Sequence, residues 1–317
     1  PYTTLFRSAS GLQTGIPASI FMTRETGEDE LFVDAMDRLG RMLRYGSTTV
    51  ESKSGYGISW PHERKMLAVN RRLSQAQPIE LISTFLGAHD FPPEIDRENN
   101  SQRERYVNEL TEEMIPRVAE ERLAEFCDVY CDTGYYTAAE SEQILRSGMD
   151  YGLAPRIHTD AYKNIGGGSL AAKLPAVSAD HLNYISPDEM RAMAEKGVVG
   201  FVLPALDFAV AHPDPVRPRP MIEAGMTIAL GTNLNPGNWT ESMQLVMQLA
   251  CRNNGMSPEE AMLAATVGAA RAIRRDGVIG KLQPGYQADI QIWDLPSFED
   301  IIYRLGNNAV HTVFKKG

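Results

Sequence analysis

The sequence predicts an α/β protein, a (β/α)8 barrel in which seven strand-helix units can be recognised. The chain has 317 residues, 43% of them hydrophobic, which suffices for one large α/β domain or two smaller ones. From residue 48 onward, short β-rich runs alternate with amphipathic helical patterns seven times. A complete barrel of this type has eight units, so we expect the barrel to be truncated at the N-terminus, with the first barrel strand missing.

The seven units follow one another without a break. The β-rich runs are TTVESKSG, IELISTFLGAH, FCDVYCD, APRIHTD, AVSADHL, VGFVLPA and TIALGTNLNP. Helical patterns follow these runs near residues 61–75, 102–122 and 137–149, from 167, from 187, near 218–224 and from 240. Two helix starts are marked by a capping serine, a first-turn proline and acidic residues, at Ser186-Pro187 and at Ser257-Pro258.

The two ends of the chain depart from the barrel pattern. Residues 1–8, PYTTLFRS, read as a translated sequencing adapter, so the native protein is expected to extend before Ala9. We predict that residues 9–275, which include a further helix at 258–273, form the incomplete catalytic barrel. Residues 276–317 read as short strands with a turn at Pro284-Gly285, and we expect them to be the C-terminal part of a small β-sandwich.

Composition restricts the partners of the chain. A formal net charge of −10, with no run of Lys or Arg, disfavours binding to nucleic acid and to anionic membranes. The most apolar stretch, residues 197–212, is interrupted by Pro204 and Asp207 and is too short to span a bilayer. Three cysteines without CxxC spacing predict reduced, buried thiols in a cytoplasmic protein. We therefore expect a small-molecule substrate.

Polar side chains occur where the predicted strands end, and in such barrels the working residues lie at these carboxyl ends. A single histidine there is most simply a hydrogen-bonded structural residue, but several at one mouth favour a shared cavity. Imidazole and carboxylate groups from different strands suit a divalent metal that activates water for hydrolysis of an amide. No GxSxG motif supports a serine nucleophile. The polar residues are Tyr56, His89, His158, Asp160, Asp180, His181, Asn233 and Asn235.

Several segments together resemble the imidazolonepropionases of the amidohydrolase superfamily, enzymes of histidine degradation. They occur in the order and spacing of that family, and the resemblance extends from about residue 15 to residue 317. It implies a metal-dependent hydrolase that opens the ring of 4-imidazolone-5-propanoate to N-formimidoyl-L-glutamate. The segments are TTVESKSGYG, TFLGAHDFPPE, RIHTD, SADHL, TNLNPGNWTESM and the tail GKLQPGYQADIQIWD.

The resemblance also implies roles for individual residues. His158 matches the third metal ligand of the family, and Asn233 falls on the fourth, which is normally an aspartate. His181 matches a histidine that assists water activation, so His181 and Asn233 are the predicted catalytic positions. The implied cofactor is one divalent metal, zinc or iron. The positions that match substrate-contacting residues are Tyr56, His89, Ala161, Asn235, Gly237 and Asn238.

Three departures from the family pattern stand out. Ala161 replaces a Glu or Gln, and Asn233 offers a neutral carbonyl oxygen in place of an anionic ligand and proton acceptor. None of the six histidines has a second histidine two residues away, so the HxH pair of the family and the substrate-binding Arg after it are absent. We therefore expect little metal retention and negligible turnover. Asn233 is explained equally well by a reading error, by a different metal geometry or by drift to inactivity.

Two alternative functions remain open at this point. Ala161 would suit an amidohydrolase that acts on another cyclic amide. Asn233 and Ala161 together would suit a catalytically silent homologue that binds a ligand. An incomplete barrel also leaves two unpaired strand edges, so we expect poor solubility unless the chain forms a homodimer.

Overall fold

The computed structural model describes residues 15–317 of the chain. The adapter-like residues 1–8 and the predicted start of the native sequence at Ala9 lie outside the described residues.

Seven parallel strands form one sheet whose spatial order is the order of the chain, β1-β2-β3-β4-β5-β6-β7. This order, with a helix after each strand, is that of a (β/α) barrel, as the sequence predicts. Because all seven strands run the same way, their carboxyl ends meet at one edge. The strands are β1 Thr49–Lys53, β2 Glu80–Ala88, β3 Phe126–Cys131, β4 Ala154–Thr159, β5 Ser178–His181, β6 Val199–Val202 and β7 Ile228–Leu230.

Helices follow the strands along the chain, and several of them pack directly against the sheet. Two of them include a π-helical turn, at Leu110–Met114 after α4 and at Ala264–Gly268 after α12. The predicted capping serines are confirmed, since Ser186 and Ser257 each form a capping box at a helix start. The helices are α1 Ile16–Glu25, α2 Glu28–Arg44, α3 Trp60–Ala76, α4 Asn100–Glu109, α5 Ile115–Glu120, α6 Ala138–Asp150, α7 Gly167–Lys173, α8 Pro187–Lys196, α9 Pro204–Ala209, α10 Pro218–Glu223, α11 Met243–Asn254, α12 Pro258–Leu263, α13 Ala269–Ala272 and α14 Asp300–Tyr303.

Four of these helices, α1, α2, α9 and α14, were not predicted from the sequence. Helix α2 has three acids in its first turn and arginines in its last, which suit the helix dipole, but it precedes the first recognised strand. Helix α9 begins at Pro204, inside the run VGFVLPA that we interpreted as a strand. The proline ends that strand because it lacks the N–H needed for pairing, and its fixed φ suits the first turn of a helix.

A second, two-stranded antiparallel sheet lies near the C-terminus. It pairs β8 Ile290–Trp293 with β9 Val310–Phe314, and the chain turns at Pro284-Gly285 before it, as predicted. The side chain of Gln291 donates to the carbonyl of Gly46, at 2.8 Å, next to the start of β1. This contact ties the small sheet to the barrel.

The strand register brings polar side chains to the same level inside the barrel. In β4, Arg156 pairs with Ser178 of β5, and two residues later His158 pairs with Asp180. His158 also lies opposite Tyr130 of β3. Since alternate residues of a strand point to the same face, these side chains form two stacked levels below the carboxyl-end mouth.

No helix within residues 15–317 combines the length and apolarity needed to cross a membrane.

Candidate active site

Three histidines converge at the carboxyl-end mouth of the barrel. The ring of His158, at the end of β4, lies 5.3 Å from that of His181, at the end of β5, and 6.4 Å from that of His89, just after β2, between centroids. His158 and His181 are buried. The three imidazoles, which come from three separate strands, therefore surround one small region.

Two tyrosines extend this region. The ring of Tyr56, in the loop after β1, meets the ring of His89 edge-on at 5.0 Å. The ring of Tyr130 lies at 5.8 Å from His89, 5.9 Å from His158 and 6.1 Å from His181. Tyr130 thus stands at the centre of the histidines, although we had not identified it from the sequence.

A layer of buried charges lies directly beneath the imidazoles. The ammonium group of Lys53 lies 2.8 Å from Glu51, 2.8 Å from Asp128 and 3.6 Å from Asp180. The guanidinium group of Arg156 lies 3.3 Å from Glu51 and 3.4 Å from Asp180. The three carboxylates and two cations therefore pair with one another and leave one net negative charge, since buried charges need partners.

Asp128 connects this charged layer to His158. Its carboxylate accepts from Nδ1 of His158 at 3.1 Å, and its other oxygen accepts from Lys53. A carboxylate can only accept, so Nδ1 of His158 carries a proton and Nε2 is the nitrogen that remains to bind a ligand. Burial raises the pKa of Asp128, but His158 and Lys53 outweigh that effect and hold the pKa well below its usual range. Asp128 is therefore a permanent anion that fixes the tautomer of His158.

His89 and His181 are neutral at pH 7. Burial, reinforced by the neighbouring His158, lowers the pKa of His89 to about 4 and that of His181 to about 3. Burial also raises the pKa of Tyr56 to about 12. At neutral pH His89, His181 and Tyr56 are therefore uncharged, and they lie above the layer of buried charges.

The loop after β4 carries Ala161, which is buried with its main chain held on both sides. Asp132 accepts from the amide of Ala161 at 2.6 Å and from that of Tyr162 at 3.1 Å. His212 bonds the carbonyl oxygen of Ala161 through Nε2 at 2.9 Å, while its Nδ1 accepts from the amide of Asp214. The backbone at position 161 is thus fixed although its side chain is a single methyl group.

The loop after β7 carries the remaining predicted positions. The side-chain oxygen of Asn235 accepts from the amides of Gly237, at 2.8 Å, and Asn238, at 3.1 Å. The side-chain amide of Asn238 donates to the carbonyls of Thr232, at 2.7 Å, and Asn233, at 3.2 Å. Asn233 itself has φ 45°, in the left-handed region that Asn tolerates better than most residues. The side chains of Asn235 and Asn238 therefore stabilise the turn of the loop to which they belong.

Within residues 15–317, one group of acidic and imidazole side chains has the spacing of a metal site. Ligand atoms of Asp128, His158 and Asp180 lie within 4.8 Å of one another, and Asp180 is 3.9 Å from Nε2 of His158. Imidazole and carboxylate donors fit a divalent ion such as zinc. A histidine ligand whose other nitrogen donates to a carboxylate is the usual second-sphere arrangement, which Asp128 supplies here. The donor chemistry around Nε2 therefore fits a divalent cation.

Of the charged layer only Asp180 is predicted from the sequence; its other members and Tyr130 are not, although a signal is present. Polar residues occur at alternate positions of two inner strands, Glu51 and Lys53 in the half-buried β1 and Asp128 and Tyr130 in the buried β3. A polar residue at every second position of a buried strand marks a polar inner face. The residues at the strand ends alone do not predict this layer.

The fold and the sequence are similar to those of known hydrolases. The amidohydrolase family profile matches residues 151–317. The imidazolonepropionase of Shouchella clausii (strain KSM-K16) is 44% identical over 304 residues, which cover 96% of this chain and 67% of that protein. The imidazolonepropionase of Geobacillus kaustophilus (strain HTA426) is 43% identical, over 96% of this chain and 70% of its own length.

Solved structures share the fold at lower identity. An adenosine deaminase from Xanthomonas campestris with bound zinc superposes with a TM-score of 0.70 at 19% identity, over 94% of this chain and 72% of that one. The A. niger ochratoxinase superposes with a TM-score of 0.72 at 20% identity, over 96% and 78%. These likenesses concern the fold, and they agree with the barrel predicted from the sequence.

Proposed function

We propose, from the premise that this chain belongs to the imidazolonepropionases of the amidohydrolase family, that it opens the ring of 4-imidazolone-5-propanoate to N-formimidoyl-L-glutamate. Its relatives carry that family name at 40–44% identity over nearly the whole chain. The observation that supports the proposal most directly is the convergence of His89, His158 and His181 at one mouth.

The proposal includes one divalent cation, zinc or iron, with His158 as a ligand through Nε2 and Asn233 at a second ligand position. When bound, such an ion lowers the pKa of water toward neutrality and polarises the scissile carbonyl. Asp128 orients His158 by accepting from Nδ1. Lys53, 2.8 Å from Asp128, holds that carboxylate in its ionised state.

The neutral side chains at the mouth then act on the substrate. His181, whose pKa is lowered to about 3 by burial, has an uncharged ring at neutral pH, and its ring nitrogens can hydrogen-bond and orient the attacking water. Tyr56 and His89 contact the imidazolone ring, and the main chain at Ala161 lies beside it. Asn235, Gly237 and Asn238 contact the substrate from the turn after β7, whose shape is held by the bonds from the amides of Gly237 and Asn238 to the side-chain oxygen of Asn235.

Asn233 limits this chemistry. An amide oxygen is a weaker cation ligand than a carboxylate and accepts no proton at neutral pH. General acid-base catalysis contributes about 10²- to 10⁴-fold to rates, so we propose that turnover is low with Asn at this position.

The proposal also covers the substrate class, the cellular compartment and the oligomeric state. The substrate is a small molecule, and we place the enzyme in the cytoplasm as a homodimer. Its three cysteines, which are free thiols, support a reducing compartment.

A second candidate function is hydrolysis of a different cyclic amide. Position 161 carries only a methyl group, and Ala161 is buried with its backbone held by Asp132 and His212. A substrate with a bulkier or less polar ring would suit the space that a longer side chain would take.

The test is a ring-opening assay on the purified 317-residue chain in the presence of added zinc or iron. We expect slow formation of N-formimidoyl-L-glutamate, and we expect His158→Ala to abolish it. His311→Ala, at an exposed histidine in β9, is the matched control and leaves the rate unchanged. A rate that His158→Ala does not change would contradict the proposal, and selective turnover of hydantoin would favour the second candidate.

A further inference from the structure

The segment from residue 54 to residue 58, which we call the Tyr56 loop, links β1 to α3 at the mouth of the barrel. It brings the ring of Tyr56 to 5.0 Å from that of His89. The loop has no regular secondary structure. Two charged side chains from neighbouring helices nevertheless hydrogen-bond its backbone, one to its N–H groups and the other to its C=O groups. These two side chains lie outside the cluster of imidazoles and the charged layer beneath it.

Glu63, near the start of α3, binds the amides of the loop. Its carboxylate accepts from the backbone N–H groups of Gly55 at 3.0 Å, Gly57 at 2.8 Å and Ile58 at 2.8 Å. The side chain is completely buried. Charge-assisted bonds of this kind are about twice as strong as neutral ones, so a single carboxylate gathers three amides of a five-residue loop.

Arg24, in α1, binds the carbonyls of the same loop. Its guanidinium group donates to the carbonyl of Gly57 at 2.8 Å and to that of Ile58 at 3.1 Å, and it also pairs with Glu94. Arg24 is only 16% exposed in its side chain. Glu63 therefore binds N–H groups and Arg24 binds C=O groups of the same short backbone segment.

The loop backbone could not keep this conformation unaided. Ile58 has φ 50°, which is unfavourable for a β-branched residue. A Cβ at Gly57 would lie 2.5 Å from the amide nitrogen of Glu63, so only glycine allows the close approach. Strained backbone persists where the surrounding structure over-determines it, and such strain concentrates at functional sites.

The loop in turn controls His89. The carbonyl oxygen of Gly55 lies 3.0 Å from Nδ1 of His89. A carbonyl can only accept, so it selects the Nδ1–H tautomer and leaves the Nε2 lone pair for the mouth. A shift of the loop would break the bond between the Gly55 carbonyl and Nδ1. The proton of His89 could then move to Nε2, which is the other neutral tautomer.

We propose that Glu63 and Arg24 are positioning residues that clamp the Tyr56 loop, and that the clamp sets both the place of the Tyr56 ring and the tautomer of His89. This inference rests on the proposed function for the statement that Tyr56 and His89 contact the substrate. The clamp itself concerns this chain's own residues, so it is measurable without turnover.

The first test is Glu63→Gln, which keeps the shape but loses the charge and one acceptor. We expect hydrogen exchange at residues 54–58 to accelerate about tenfold, and ¹⁵N spectra of the six histidines to show His89 leaving the Nδ1–H form. We also expect kcat/KM for imidazolone propanoate to fall about 10- to 100-fold, the range seen for small displacements of reacting groups. The matched control is Glu260→Gln, which removes the carboxylate of a capping box at α12 and leaves all three readouts unchanged.

A second variant keeps the test decisive if Glu63→Gln fails to fold. Arg24→Met removes the bonds to the carbonyls of Gly57 and Ile58, and we expect the same three changes to a smaller degree. Its control is Glu94→Gln, which breaks the ion pair with Arg24 but leaves the carbonyl bonds in place.

The outcomes separate the clamp from the proposed function. Unchanged exchange and an unchanged His89 tautomer in both variants would overturn the clamp. Faster exchange with unaltered kcat/KM would overturn the positioning role. A wild-type chain that forms no product refutes the proposed function alone, and the exchange and tautomer measurements still decide whether the clamp exists.

Discussion

Replacement of Asp128 by asparagine tests how the buried charge layer serves His158. The carboxylate uses one oxygen for Lys53, at 2.8 Å, and the other for Nδ1 of His158, at 3.1 Å. An amide has a single oxygen, so in either orientation its NH2 group faces a donor that the carboxylate satisfied. Breaking a buried ion pair by removing one partner costs about 3–5 kcal/mol, and we expect a loss near the lower end because Lys53 retains Glu51.

The same substitution should weaken binding of a divalent cation. Loss of the carboxylate partner lowers the basicity of His158 and releases its tautomer, and changes of this kind reduce metal affinity about 10- to 100-fold. Urea unfolding of the metal-free chain measures the first effect, and zinc titration of the folded chain measures the second.

Glu51→Gln is the matched control for that experiment. Glu51 also binds Lys53, at 2.8 Å, and it lies 3.3 Å from Arg156, but it makes no bond to His158 among those found in residues 15–317. It should therefore lose comparable stability while zinc affinity changes less than threefold. Equal zinc affinity in Asp128→Asn and the wild type would refute the reasoning, as would a stability loss below about 0.5 kcal/mol.

Two further predictions concern the loop after β4 and the thiols. Asp132→Asn removes the carboxylate that accepts from the amides of Ala161 and Tyr162, so we expect about 1–3 kcal/mol less stability and a raised KM with kcat nearly unchanged, measured by urea unfolding and steady-state kinetics. Burial raises the pKa of Cys251 to about 11, so its alkylation rate should rise about tenfold per pH unit from pH 7 to pH 10, since only the thiolate reacts; a rate that levels off near pH 8.5 would contradict this.

The seven strand-helix units and the convergence of the histidines could be predicted from sequence. Parallel strands bring their carboxyl ends to one edge, so residues that end successive strands, such as His158 and His181, must lie near one another. Local signals also located helix starts, because the capping box at Ser186 depends only on residues three apart.

Other parts of the site depend on contacts that no local pattern reveals. The bond from Arg24 to Gly57 joins residues 33 apart, and the contact of Asp132 with Ala161 joins residues 29 apart. The pairing of Lys53 with Asp128 requires the register of non-adjacent strands, β1 and β3, across the barrel interior. Alternation within each strand indicates a polar inner face, but only the arrangement of the strands in space determines which charges meet.

The most direct test of the account is to compare the wild-type chain with Asn233→Asp in the ring-opening assay with added zinc. An aspartate at this position supplies an anionic oxygen and a proton acceptor at the end of β7. We predict that Asn233→Asp forms N-formimidoyl-L-glutamate about 100-fold faster than the wild type, within the range expected for a general base. Equal rates in the two proteins, or no product from either, would contradict the proposal that this mouth is the site of ring opening.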